Sequence, residues 1–132
     1  MRQVRRSMER EKQTKPARAI LPHMSTPSAK PPMKTWFVRL IPPRPTFAQD
    51  ITPAESNIME AHSNYLRGLF RRGVCLFAGP VFDPSGVYGI AVLAAEDEAA
   101  AHAIASADPC VKSCLQRMEI AEMRLAFPPL AE

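Results

Sequence analysis

The chain has 132 residues, of which 46% are apolar and 23% charged, a size and balance that fit one soluble globular domain with a modest core. No apolar run approaches the roughly 20 residues a membrane-spanning helix needs, and no secretory apolar stretch opens the sequence, so a cytoplasmic protein is expected. The net charge of +4 is uneven: eight of 17 basic and two of 13 acidic residues lie in residues 1–32, leaving nine basic against eleven acidic groups. Basic character thus belongs to the N-terminal segment, which argues against nucleic-acid binding by the folded domain.

Residues 1–32 contain Pro16, Pro22, Pro27, Pro31 and Pro32, few large apolar side chains and no sustained periodicity. They read as a disordered basic tail, functionally minor or the product of a misassigned start, because Met33-Lys34 stands directly before the first strand. The domain is then residues 33–132.

Thr35–Ile41 is rich in β-formers and is stopped by Pro42-Pro43, which predicts a first strand. The proline-rich loop that follows, to Ile51, is long enough to serve as a lid or contact surface. Thr52-Pro53-Ala54-Glu55 has the pattern of a capping box with proline at the first helical position. Behind it Ile58, His62, Tyr65, Leu66 and Leu69 recur on one helix face, and Gly73 closes the helix. Val74–Phe82 and Val87–Leu93 are two β-rich runs joined by Asp83-Pro84-Ser85-Gly86, a type I turn signal, and so predict a hairpin. Glu96-Asp97-Glu98 opens an Ala-rich helix through Ser106 that carries a solvent-facing His102. Asp108-Pro109 starts a short helical turn to about Cys114, and Arg117–Phe127 is the last strand, with a bulge expected at Ala121–Met123 where its alternation slips.

The order β-α-β-β-α-β predicts an α+β, ferredoxin-like fold with both helices on one face of a four-stranded antiparallel sheet. The other face also carries apolar residues, among them Trp36 or Phe37, Phe77, and Ile90 or Val92. A second copy of the chain is the simplest cover for it, so a homodimer is expected. Cys75, Cys110 and Cys114 read as reduced, small and mostly buried residues; Cys110 and Cys114, four apart, have the spacing to share a helix face.

His62 is the residue with the widest chemical range. A carboxylate accepting its Nδ1–H fixes the tautomer and leaves Nε2 to take a proton from a phenol, a quinol or a β-dicarbonyl compound. The competing reading is a half-buried helix histidine bonded to a backbone carbonyl. Asp108 is explained equally well as a helix cap and Asp83 as a turn residue; Asp108 is preferred as the partner because it belongs to the helix-covered side. Gly79-Pro80 lets backbone approach a pocket or kinks an edge strand. Tyr65 is a candidate for orienting a ligand, and Arg39, a charge inside a strand, for holding an anion. No Gly-rich phosphate loop, nucleophile elbow or His/Cys metal spacing occurs, so neither a metal nor a bound cofactor is expected.

Taken together, Arg39–Phe47, His62 with Tyr65-Leu66, Gly79–Pro84, Gly86 with Tyr88-Gly89-Ile90, and Asp108-Pro109 resemble the YCII-related proteins of the dimeric α+β barrel superfamily. The resemblance implies a dimeric α+β barrel and a small-molecule ligand. It also implies a site in which His62 matches the family histidine, Asp108 the aspartate of the Asp-Pro motif, and Asp83 the acidic turn residue of many relatives. The superfamily contains cofactor-free lyases and isomerases together with members that only bind or regulate. The expectation is therefore a His–Asp acid/base enzyme on a small aromatic or quinol-like molecule, with a noncatalytic ligand-binding or regulatory module as the alternative.

Overall fold

Residues 33–130 are described by the structure, a computed structural model; the expected tail lies outside the described residues. Strand β1 (Lys34–Ile41) alternates as its sequence demands, with Trp36, Val38 and Leu40 buried on one face and Thr35, Phe37 and Arg39 on the other. The next segment is not all loop: Phe47–Asp50 winds into a single helical turn, α1, with Phe47 buried. Helix α2 (Pro53–Arg71) begins with the complete capping box, in which Thr52 Oγ1 accepts the Glu55 N–H at 3.1 Å and Glu55 accepts the Thr52 N–H at 3.0 Å. It gives way to Gly73, whose φ of +76° is a left-handed conformation that glycine adopts without steric cost.

Strands β2 (Cys75–Asp83) and β3 (Gly86–Ala95) form the hairpin around Pro84-Ser85. The Asp83 carboxylate accepts the Ser85 N–H at 2.8 Å and the Ser85 hydroxyl at 2.6 Å, which holds the turn and keeps that carboxyl below its usual range. Helix α3 (Glu98–Ser106) is capped by Asp97, which accepts the Ala100 N–H at 2.8 Å. The short α4 (Pro109–Lys112) follows, and β4 (Arg117–Met123) ends the sheet.

The sheet order is β2-β3-β1-β4 and every pairing is antiparallel, the ferredoxin-like arrangement expected from the element order. Helices cover one face. Val38, Leu40, Ala91 and Leu93 from the sheet pack with Leu69 of α2, Ala105 of α3 and Cys110 of α4. Burying a side chain such as Leu69 or Leu93 contributes about 1.5–3 kcal/mol. Trp36 belongs to this face and donates its indole N–H to Ala95 O at 3.2 Å, whereas Phe37, Phe77, Ile90 and Val92 share the uncovered face.

Three local expectations are corrected. Strand β4 stops at Met123 and pairs with β1 in unbroken register, so no bulge lies at Ala121–Met123. Its alternation slips in sequence because this is an edge strand, where Glu122 on the helix side and Arg124 just beyond the strand still reach water. The irregularity instead lies in β2, between Cys75 and Phe77. Cys110 and Cys114 do not share a helix face, because α4 ends at Lys112 and Cys114 takes a left-handed φ of +62°. His102 is exposed on α3 as expected, its Nδ1 3.2 Å from the Ser106 hydroxyl.

Candidate functional site

Asp108 is the N-cap of a helix of four residues, and its two carboxylate oxygens do different work. Oδ1 accepts the Cys110 backbone N–H at 3.0 Å, while Oδ2 lies 2.7 Å from Nδ1 of His62, which reaches it from the middle of α2. The two competing readings of Asp108, cap and histidine partner, are thus both satisfied by one side chain. Its proline neighbour at the first helical position fixes the backbone that aims it. Accepting at both oxygens, Asp108 acts as a carboxylate, so Nδ1 carries the proton it donates and Nε2 is the nitrogen left for a ligand.

The surroundings of this pair are dry. Asp108 is 3% exposed and Cys110 fully buried, with Cys110 Sγ 3.4 Å from His62 Nδ1. Burial, and secondarily the Asp108 charge, push the Cys110 thiol far up, so it is a protonated wall of the site. The donor atoms of His62, Asp108 and Cys110 lie within 4.8 Å of one another, a set that sequence spacing gave no reason to expect. At 2.7 Å, however, Nδ1 and Oδ2 are closer than two ligands of a tetrahedral ion sit, and the separation is that of a shared proton.

Beside the imidazole lies a cleft of about 680 Å³ between α2, the α1 segment and the β2–β3 hairpin. Its walls are mostly apolar, including Leu40, Phe47, Met59, Leu66 and Phe70, and its polar lining includes His62, Ser63, Arg67 and Gln116. An apolar chamber with a few convergent polar groups is the usual form of a small-molecule site.

The structure sorts the residues expected at the site. His62, Gly79 and Pro80 line the cleft, and Asp108 stands behind the imidazole. A Cβ built on Gly79 meets nothing within 4 Å, so this glycine leaves open space instead of permitting a close contact. Asp83 does not join them: it is exposed at the hairpin tip and committed to its own turn. Arg39 does not line the cleft; it lies on the uncovered sheet face, its guanidinium 4.2 Å from the centre of the ring of Tyr88, a residue at the cleft's edge. Tyr65 turns inward and donates its hydroxyl to Ile104 O at 2.8 Å; burial and the nearby Asp108 charge raise its pKa. The sequence marks Cys110 only as a small buried thiol, although it follows Asp108-Pro109 directly, and carries no signal for Gln116, the last residue before β4.

A family model, the YCII-related domain, matches residues 35–124, which span β1 through β4 and include both His62 and Asp108. The chain belongs to the YCII-related family. No curated protein matches it. Within a YCII-related domain the described residues contain no helix long and apolar enough to cross a membrane.

Proposed function

We propose that this YCII-related protein is an acid/base enzyme of the lyase or isomerase type, in which His62 Nε2 removes a proton from a small, largely apolar molecule bound in the cleft. The observation that carries this reading is the 2.7 Å contact between His62 Nδ1 and a buried carboxylate that is itself capped by backbone, on the wall of an apolar cleft. Asp108 fixes the tautomer and stabilises the imidazolium formed in the step; the apolar walls exclude water, which strengthens both effects. Fitting substrates have an acidic O–H or an activated C–H beside an aromatic or carbonyl group.

Exchange of the activated C–H of ethyl acetoacetate into D2O, followed by NMR, tests this directly. Wild-type protein is expected to accelerate exchange and His62→Gln to return it to background. Equal exchange by both proteins sinks the acid/base reading and leaves a site that only binds.

The same proposal includes a homodimer formed through the uncovered sheet face. Phe37, Phe77, Ile90 and Met123 lie there without a covering layer, Phe77 being 40% and Met123 37% exposed. Sedimentation is expected to give a dimer for wild type and a monomer for Phe37→Glu; a wild-type monomer at tens of micromolar removes this part of the proposal.

A further inference from the structure

We infer that the Gln116 carboxamide is a substrate-binding group of the His62 cleft, placed to hold the ligand oxygen on which negative charge appears when the proton leaves. The inference rests on the acid/base reading above and adds a residue and a ligand class to it. Gln116 is only 7% exposed, yet it lines the cleft. Its backbone N–H donates to Cys110 O at 2.8 Å, and Cys110 Sγ lies 3.4 Å from His62 Nδ1, so one residue joins the Gln116 backbone to the imidazole.

The side chain itself is the telling part. Among the described residues, every side-chain nitrogen or oxygen sealed from the surface has a hydrogen-bond partner. No hydrogen bond joins the Gln116 carboxamide to another described residue, and the residue lines the cleft. A carboxamide has two N–H donors and a carbonyl acceptor, and burying such a group is unfavourable unless something bonds to it. In a chamber walled by Leu40, Phe47, Met59, Leu66 and Phe70, an amide without a protein partner is preorganised for a polar atom of the ligand.

Position sets the class of ligand. His62 takes a proton at Nε2 as the substrate O–H or C–H bond breaks, and the electron pair moves to the substrate oxygen, as phenolate or enolate. The Gln116 N–H groups donate to that oxygen, while the imidazolium keeps Nδ1–H on Asp108. The ligand is thus an apolar, ring-sized molecule with one oxygen at or next to its acidic proton.

The test uses 4-nitrophenol, whose phenolate has its own absorbance, and 4-nitrotoluene, which has the same ring without the oxygen. Wild-type protein is expected to bind 4-nitrophenol more tightly than 4-nitrotoluene and to raise its phenolate fraction. Gln116→Leu, nearly equal in volume, is expected to lose roughly tenfold or more in 4-nitrophenol affinity while 4-nitrotoluene affinity stays or improves. Gln116→Asn, which withdraws the amide by one methylene, is the second variant and is expected to lose the same discrimination. Unchanged discrimination in both variants overturns the inference, as does a wild-type protein that binds neither probe or prefers 4-nitrotoluene. His62→Gln separates the two ideas: if it leaves the phenolate fraction unchanged while Gln116→Leu abolishes the preference, the acid/base reading fails and the amide site stands.

Discussion

Helix α2 carries two pairings of a cationic or basic group with carboxylates, and they are built to opposite specifications. At its N-terminus, Arg44 donates to Glu55 at 2.7 and 2.9 Å and to the Asp50 side chain at 2.7 Å, on the protein surface. Midway along, His62 meets Asp108 at the same 2.7 Å, but with the carboxylate 3% exposed. A guanidinium never gives up its proton in a protein, so the first assembly is a fastening that ties the α1 segment to the helix. An imidazole does exchange its proton near neutrality, and in a dry setting its partner governs which nitrogen is free. Comparable contacts thus serve as structure where the cation is permanent and near the surface, and, under the proposed function, as chemistry where it is titratable and buried.

The largest expected effect comes from removing that chemistry without disturbing the fold. Asn caps helices about as well as Asp, so Asp108→Asn keeps the Oδ1 acceptor for Cys110 but places an amide or a poorer acceptor against Nδ1. Catalysed exchange is expected to fall by about 10²–10⁴-fold, with the unfolding midpoint nearly unchanged and nitrogen-15 NMR showing loss of the single Nδ1–H tautomer. Asp108→Ala additionally loses the cap, with an expected cost of about 1 kcal/mol or more in denaturant unfolding. Similar activity in wild type and Asp108→Asn breaks the functional half of the comparison.

Next in size is the cleft. Ala78→Leu, at an exposed position that lines the cleft and shares the helix-covered face with its strand partner Ala91, is expected to weaken 4-nitrotoluene binding several-fold by filling the space beside Pro80. Tighter binding in the variant places the ligand elsewhere.

The surface fastening is expected to matter least. Arg44→Gln releases the segment whose Phe47 lines the cleft, with a modest loss of probe affinity that shrinks further as salt is added to the wild type. The Arg44 hydrogen bonds, and then the Thr52 backbone, hold Glu55 down from an ordinary 4.5 to about 2. A depressed carboxylate contributes its stability in full above the ordinary value and loses it as pH falls toward about 2. The wild-type advantage over Glu55→Gln in unfolding midpoint is thus expected above about pH 4.5 and to fade below it; an advantage that persists at pH 2 removes Glu55 ionisation as its source.

Much of this molecule is decided locally, and that part is legible in the chain. The capping box at Thr52–Glu55, the proline at the start of α4 and the turn at Asp83–Gly86 are each fixed by residues within three or four positions of one another. Alternation in β1 and the α2 stripe fix which side chains face inward, and the order of elements then leaves the ferredoxin-like sheet as the way to bury them. His62 stands out in the chain for its chemical range, whereas Asp108, an ordinary helix cap by residue type, stands out through the family resemblance. Their contact is not legible there, because it spans 46 residues and depends on α2 and α4 packing over the same sheet face. Tertiary structure alone put Arg39 on the uncovered face, turned Tyr65 inward, brought Cys110 to the imidazole and set Gln116 in the cleft wall. The physical reason is one of range: caps, turns and periodicity act over a few residues, whereas a dry site is made where distant elements exclude water together.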